Sequence, residues 1–290
     1  MGADDGVVGN LVSVEGLLVA GRIHSVAGLR VLAPASVGGE PWCRLDAGDY
    51  ATRSTTWIRQ IILHTTGGLW PQYVRPGAGH PGHARQVADM WSGADRGDGG
   101  AAHSAAQLVV DFDGSVACLA DLAYAAAYHA EGSNHYSVGV EMCTMPDGSI
   151  YEATLTATAR LMDALCWPLL PVPRQYPRGP YLNRPLVRME TGSGKTRRQL
   201  GGPGVVGVLG HRDNTSERGP GDPGDAIWRE LAAAGFEGLD YSTDQDLSVA
   251  RDRQRTLVGL GARISVDGLV GPSSLAAAAD AGFSRWRDVR

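Results

Sequence analysis

Val205-Val-Gly-Val-Leu-Gly-His-Arg-Asp-Asn-Thr-Ser-Glu-Arg-Gly-Pro-Gly-Asp-Pro-Gly-Asp225 begins as an apolar run of strand length, breaks at Gly210-His211 and closes a polar loop on Asp222-Pro223-Gly224. An uninterrupted apolar strand suits a position covered on both faces, as in the parallel part of an α/β sheet. A histidine ending such a strand, with a carboxylate held ahead of a proline, is a candidate pair of metal ligands. Each has a plainer reading: strand-end histidines often serve as hydrogen bonders, and Asp before Pro-Gly is a common turn former. What lies upstream gives the pair its weight.

Trp57-Ile-Arg-Gln-Ile-Ile-Leu63 is a second buried strand, and it too ends on a histidine, in His64-Thr65-Thr66-Gly67. A Pro/Gly/His loop, 71–83, leads to an expected helix over 84–92 with Val87, Met90 and Trp91 on one face. Gln107-Leu-Val-Val-Asp111 and Ser115-Val-Ala-Cys-Leu119 flank Asp113-Gly114, a hairpin signal. Ser137-Val-Gly-Val-Glu-Met142 reads as a further strand, 152–167 as a helix, and 226–234 as a helix stopped by Gly235. Strands and helices alternate around one hairpin, which predicts an α/β domain with a mixed central β-sheet flanked by helices.

The flanks divide the chain further. Residues 1–55 are expected to form a β-rich N-terminal extension, and 56–236 the main domain. Within it 168–200, rich in Pro and Arg and without periodicity, is expected as an inserted surface loop. Residues 237–247 read as a polar linker, and 248–290 as a small helical module. Gly192-Ser-Gly-Lys-Thr196 mimics a phosphate-binding loop, but the motif needs a glycine at Met189 and a strand before it, so it is rejected.

Hydrophobic residues at 43% and charged residues at 20% of 290 support a real core. A net charge of −5 without a basic block argues against nucleic acid as a partner. Cys43, Cys118, Cys143 and Cys166 form no CxxC pair and are expected reduced. The acidic start, Met1-Gly-Ala-Asp-Asp-Gly6, has no signal-peptide character, and no apolar run reaches membrane-span length. The protein is therefore expected to be made in a cytoplasm, without membrane insertion.

If the two histidine-ended strands are neighbours, His64 and His211 face one cleft at the end of the sheet, where α/β sheets bind ligands. Asp222 completes a two-His, one-carboxylate set of the kind that holds catalytic zinc (Zn2+) with a position left for water. Glu141 ends an apolar strand where a charge has no packing reason to be, and is the candidate base; pairing with a loop arginine is its plainer reading.

Ile61-Ile-Leu-His-Thr-Thr66, Ser104-Ala-Ala-Gln-Leu-Val-Val-Asp-Phe-Asp-Gly114, Tyr128-His-Ala130, Asn134-His-Tyr-Ser-Val-Gly-Val-Glu141 and Gly210-His-Arg-Asp213 with Asp222-Pro-Gly224 together resemble the zinc-dependent N-acetylmuramoyl-L-alanine amidases of the type 2, peptidoglycan-recognition-protein-like family. The motifs occur in family order and cover residues 57–235. The resemblance implies zinc on His64, His211 and Asp222, with Glu141 as catalytic glutamate. It implies hydrolysis of the amide joining N-acetylmuramic acid to L-alanine in bacterial peptidoglycan. His129, Thr65 and Asn134 fall where substrate contacts are implied, His129 as a cleft-wall residue.

Departures from the family pattern are Pro220, where relatives carry a polar oxyanion stabiliser, Ala106 in place of Tyr, and Gln107 in place of His. Arg218 is the candidate substitute for the oxyanion group. Gln254-Arg-Thr-Leu-Val-Gly-Leu-Gly261 with Val266-Asp-Gly-Leu-Val-Gly-Pro-Ser-Ser-Leu275 resembles a shortened peptidoglycan-binding module; a plain helical hairpin is its alternative. A phage lysin is the expected biological role, released through a holin or carried in a virion, where residues 1–55 could contact other virion proteins. A non-catalytic muropeptide-binding protein and a cytoplasmic wall-recycling amidase are the rivals.

Overall fold

The computed structural model describes residues 13–34, 50–54, 58–66, 84, 87, 105–130, 132–145, 147–178, 186–190, 196–200, 206–214, 222–240, 245–266, 272–283 and 288–289. In chain order the strands are β1 (Ser13–Glu15), β2 (Leu17–Val19), β3 (Arg22–His24), β4 (Val31–Pro34), β5 (Tyr50–Thr52), β6 (Gln60–Thr65), β7 (Leu108–Val110), β8 (Val116–Cys118), β9 (Ala125–Ala127) and β10 (Ser137–Met142). They continue as β11 (Gln175–Arg178), β12 (Leu186–Glu190), β13 (Thr196–Leu200), β14 (Gly207–Gly210) and β15 (Glu237–Asp240). The helices are α1 (Glu152–Leu165), α2 (His211–Asn214), α3 (Ala226–Ala233), α4 (Gln245–Gly259) and α5 (Pro272–Asp280).

Seven strands form one mixed sheet in the order β1-β4-β8-β7-β10-β6-β14. β10 runs parallel to both β7 and β6, and β6 parallel to β14, while β7 and β8 make the expected antiparallel hairpin. The period of two along each strand divides the sheet's faces. Ile61, Leu63, Val138, Val140, Met142 and Val208 enter the main core with Ala157, Leu161, Met162 and Leu165 of α1 and Ile227 and Leu231 of α3. The register puts Gln60, Ile62 and His64 beside Ser137, Gly139 and Glu141, so the opposite face of the same strands carries the chemistry. Among the described residues no helix is long and apolar enough to cross a membrane.

Three expectations are corrected. Residues 168–200 are not an aperiodic loop: they contain β11, which pairs parallel with β15, and the β12–β13 hairpin. The pairing with β15 also means that 237–247 is not a plain linker, and α4 already begins at Gln245. Residues 13–34 are less an extension than part of the sheet: β4 pairs with β8, and Asp121 accepts hydrogen bonds from the amides of Ala20 (2.9 Å) and Gly21 (2.6 Å) at the β2–β3 turn. The tail is tied to the sheet as well, because Leu257, Ala277, Ala278 and Val289 share an apolar cluster with Val206, just ahead of β14. Of the expected helix over 84–92 only Ala84 and Val87 are described, both helical and buried; the rest lies outside the described residues, as do Gly192–Lys195 and Cys43. Cys118, Cys143 and Cys166 are free and buried, and desolvation raises all three thiols, Cys118 to about 12. They are therefore inert packing residues.

The close approach of β11 to β14 depends on Gly207, whose φ is 117° and whose missing Cβ would lie 2.4 Å from the Gln175 carbonyl oxygen. Gly207→Ala is expected to destabilise the fold by roughly 3 kcal/mol, since a left-handed strain and a backbone clash act together. Urea unfolding followed by circular dichroism measures it; a midpoint equal to wild type would show that β11 moves aside freely.

Candidate metal centre and active site

Three parallel strands deliver the site residues to one edge of the sheet. Glu141 on β10 is the register partner of His64 on β6. Gly210 of β14 pairs with Leu63, so the next residue, His211, comes level with His64 as α2 begins. Cross-strand partners project to the same face about 4.8 Å apart. His211, His64 and Glu141 thus stand in a row at the carboxyl ends of the strands, where open α/β sheets bind their ligands.

Asp222 stands in the turn that precedes α3. Its Oδ2 lies 3.1 Å from His211 Nδ1, and its Oδ1 accepts the Thr65 amide at 3.2 Å. The ligand atoms of His64, His211 and Asp222 lie within 4.8 Å of one another. The two imidazoles meet edge to face at 4.4 Å and 66°, and both are almost fully buried. Zinc bonds of about 2.0–2.2 Å in a tetrahedron require donors roughly 3.3 Å apart, so a small inward adjustment of these three groups accepts the ion. Two nitrogens and one oxygen are also the right donors for it.

The turn bearing Asp222 is fastened from beneath. The Arg212 amide donates to the Asp222 carbonyl at 2.8 Å, and the Arg212 guanidinium binds Asp225 at 2.5 Å while lying 5.9 Å from the centre of the Trp228 ring. Pro223 packs on Gly210 so closely that a Cβ there would sit 2.5 Å from its Cδ. A glycine one residue before the first ligand of the loop is therefore a condition for the last ligand to reach the site.

His129 is turned towards the interior. It is 7% exposed; its Nδ1 lies 3.0 Å from His64 Nε2 and its Nε2 lies 3.0 Å from Ser137 Oγ, so both ring nitrogens are engaged inside the protein. Burial, then the charges of His211 and Arg53, hold it well below the usual histidine range against an opposing hydrogen bond that the ring donates to the Ser137 backbone, so the ring is neutral. Its plane lies against Gly139, where a Cβ would meet His129 Cγ at 2.5 Å.

Asn134 faces inward too: its Oδ1 accepts the amides of His129 (3.0 Å) and Ala130 (2.7 Å), shaping the loop that carries His129. Thr65 contributes its backbone amide to Asp222. Gln107 braces the strand behind the site, accepting from the Gly139 amide at 2.7 Å and donating to the Ala125 carbonyl at 2.9 Å. Arg53, buried and lowered by desolvation to about 9, donates to the carbonyls of Leu122, Asn134 and Ser137. Arg218 lies outside the described residues.

Ser137 and Gly139 were not singled out in the sequence, yet β10 carries their signal. Ser137, Gly139 and Glu141 alternate with Val138, Val140 and Met142, so one face of a buried strand lacks apolar side chains.

The structure thus combines a mixed sheet, helices packed on one face, and a His-His-Asp cluster beside a glutamate. Residues 53–225 match the family described as N-acetylmuramoyl-L-alanine amidase, and the chain belongs to that family. No curated protein matches the sequence. Similar solved structures include the selenomethionine derivative of AmpD (16% identity, TM-score 0.39, covering 66% of this chain and 98% of that one). The endolysin amidase LysCS from Clostridium intestinale URNW is 13% identical, with a TM-score of 0.37 over 70% of this chain and 93% of its own. The Ph2119 endolysin from Thermus scotoductus MAT2119 bacteriophage Ph2119 is 19% identical, with a TM-score of 0.36 over 66% of this chain and 93% of its own.

Proposed function

We propose that this protein is a zinc-dependent amidase that cuts the bond between N-acetylmuramic acid and L-alanine in peptidoglycan. The observation that carries the reading is the convergence of His64, His211 and Asp222 within 4.8 Å, with Glu141 in register on the neighbouring strand. His64, His211 and Asp222 would hold the ion. Bound there, zinc supplies Lewis acidity, which acidifies water and polarises the scissile carbonyl. Glu141 takes the proton of the attacking water and returns it to the leaving amine nitrogen of L-alanine, so that one carboxylate serves as base and then as acid. The Thr65 amide and the Arg212-anchored turn keep Asp222 turned towards the histidines, and Arg218 is the candidate group for the oxyanion. A non-catalytic muropeptide-binding role would leave a complete set of ligands plus a general base without a task.

The biological setting in this proposal is a phage lysin, with 248–290 holding the enzyme on the wall. Attachment raises the effective concentration of the enzyme on a polymeric substrate. Digestion of purified sacculi with and without chelator, read by mass spectrometry, tests the chemistry. Stem peptides with a free L-alanine amino terminus are expected only without chelator; their absence, or their appearance in both reactions, overturns the proposal.

A further inference from the structure

We propose that His129 is a positioning residue for the metal centre: a one-way chain of hydrogen bonds through Ser137 to the Ser133 carbonyl makes His129 an acceptor towards His64, fixing the His64 tautomer with its lone pair on Nδ1. This rests on the zinc reading of the site.

The direction of the chain follows from its far end. Ser137 Oγ lies 2.7 Å from the Ser133 carbonyl oxygen. Two oxygens that close need a proton between them, and a carbonyl can only accept, so the hydroxyl proton is committed there. Towards His129 Nε2, 3.0 Å away, Ser137 Oγ can then only accept, and the proton of that bond belongs to the imidazole. A neutral imidazole protonated on Nε2 presents a lone pair on Nδ1. His129 Nδ1 faces His64 Nε2 at 3.0 Å, so His64 is the donor. His64 thereby carries its proton on Nε2 and its lone pair on Nδ1.

The opposite polarity would place the His64 proton on Nδ1 and engage the lone pair of Nε2 with His129, leaving no nitrogen of His64 to bind an ion. Metal-binding histidines depend in general on a partner for the second ring nitrogen, which fixes tautomer and ring plane. Here that partner is another histidine rather than a carboxylate, so orientation is supplied without adding a negative charge near Asp222 and Glu141. Three further features serve the chain. Gly139 makes room for the His129 ring, Asn134 Oδ1 binds the His129 amide, and Arg53 caps the Ser137 carbonyl.

The test compares His129→Ala, His129→Asn and Ser137→Ala with wild type, using zinc alone as the probe in competition with a chromophoric chelator. Loss of the partner is expected to weaken zinc binding by roughly 10–100-fold in His129→Ala, with a smaller loss in Ser137→Ala. His129→Asn is expected to restore most of the affinity, because Asn Oδ1 takes the place of His Nδ1 and can only accept. A merely structural role for the ring predicts no such rescue. Long-range proton–nitrogen correlations on the metal-free wild-type protein give an independent readout that needs no variant to fold: His64 and His129 should both be Nε2–H tautomers. Zinc affinity in His129→Ala within about threefold of wild type, against the expected tenfold or more, overturns the inference. So does an Nδ1–H tautomer at His64. A wild-type protein that binds zinc but releases no L-alanine-ended peptides, with the rescue observed in His129→Asn, would sink the amidase reading alone.

Discussion

Glu141→Gln is expected to lower amide hydrolysis by roughly 10²–10⁴-fold while leaving zinc affinity unchanged. The substitution keeps the volume and hydrogen-bonding reach of the side chain at its place opposite His64 and removes its basicity. At about 1.36 kcal/mol for each factor of ten, the loss equals roughly 3–5 kcal/mol of transition-state stabilisation. Turnover on a soluble muropeptide, measured beside the bound zinc content, separates the outcomes. A variant that loses zinc together with activity would make Glu141 a ligand, and one that keeps its turnover would remove it from the chemistry.

The second large effect is expected at His211. Its Nδ1 stands 3.1 Å from Asp222 Oδ2, so in the proposed site the residue is both a ligand and the neighbour against which Asp222 is aimed. Zinc bound to a full set of protein ligands is worth on the order of 10 kcal/mol, and loss of one of three should remove on the order of 3 kcal/mol, about 100-fold in affinity. His211→Ala should therefore fall to background activity at micromolar zinc. The rise in melting temperature that zinc gives the wild-type protein should shrink accordingly, since stabilisation follows ligand concentration over Kd. A wild-type-sized zinc-induced shift in His211→Ala would place the ion elsewhere.

Much of this site could be read from the chain because it is built where local pattern is strongest. Gln60–Thr65, Ser137–Met142 and Gly207–Gly210 are buried strands with continuous or alternating apolar character, and a charged or imidazole group at their ends stands out against it. The β7–β8 hairpin announced itself through Asp113-Gly114. Pairings between short distant segments were not legible. Nothing in Gln175–Arg178 or Glu237–Asp240 distinguishes four polar, Pro- or Gly-containing residues in a loop from the same residues paired across more than fifty positions. The internal contacts of His129 were not legible for a related reason. Its place is decided by the absence of a side chain at Gly139 on another strand. Asn134 likewise faces backbone amides that only the folded loop presents.

The sheet's extension through β4 bears on how small a folded unit this molecule can yield. The family match starts at residue 53, but the fold continues upstream of it. A chain trimmed to that boundary would lose Leu17, Leu18, Val19 and Val31 from the main core and strip Asp121 of two of the amides it holds. It would also turn Val116–Cys118 into an edge strand with bare amides and carbonyls, the kind of edge that recruits strands from other molecules. The smallest fragment of this protein that keeps its sheet intact therefore includes the β1–β4 segment, and sequence similarity alone would place the cut inside that sheet.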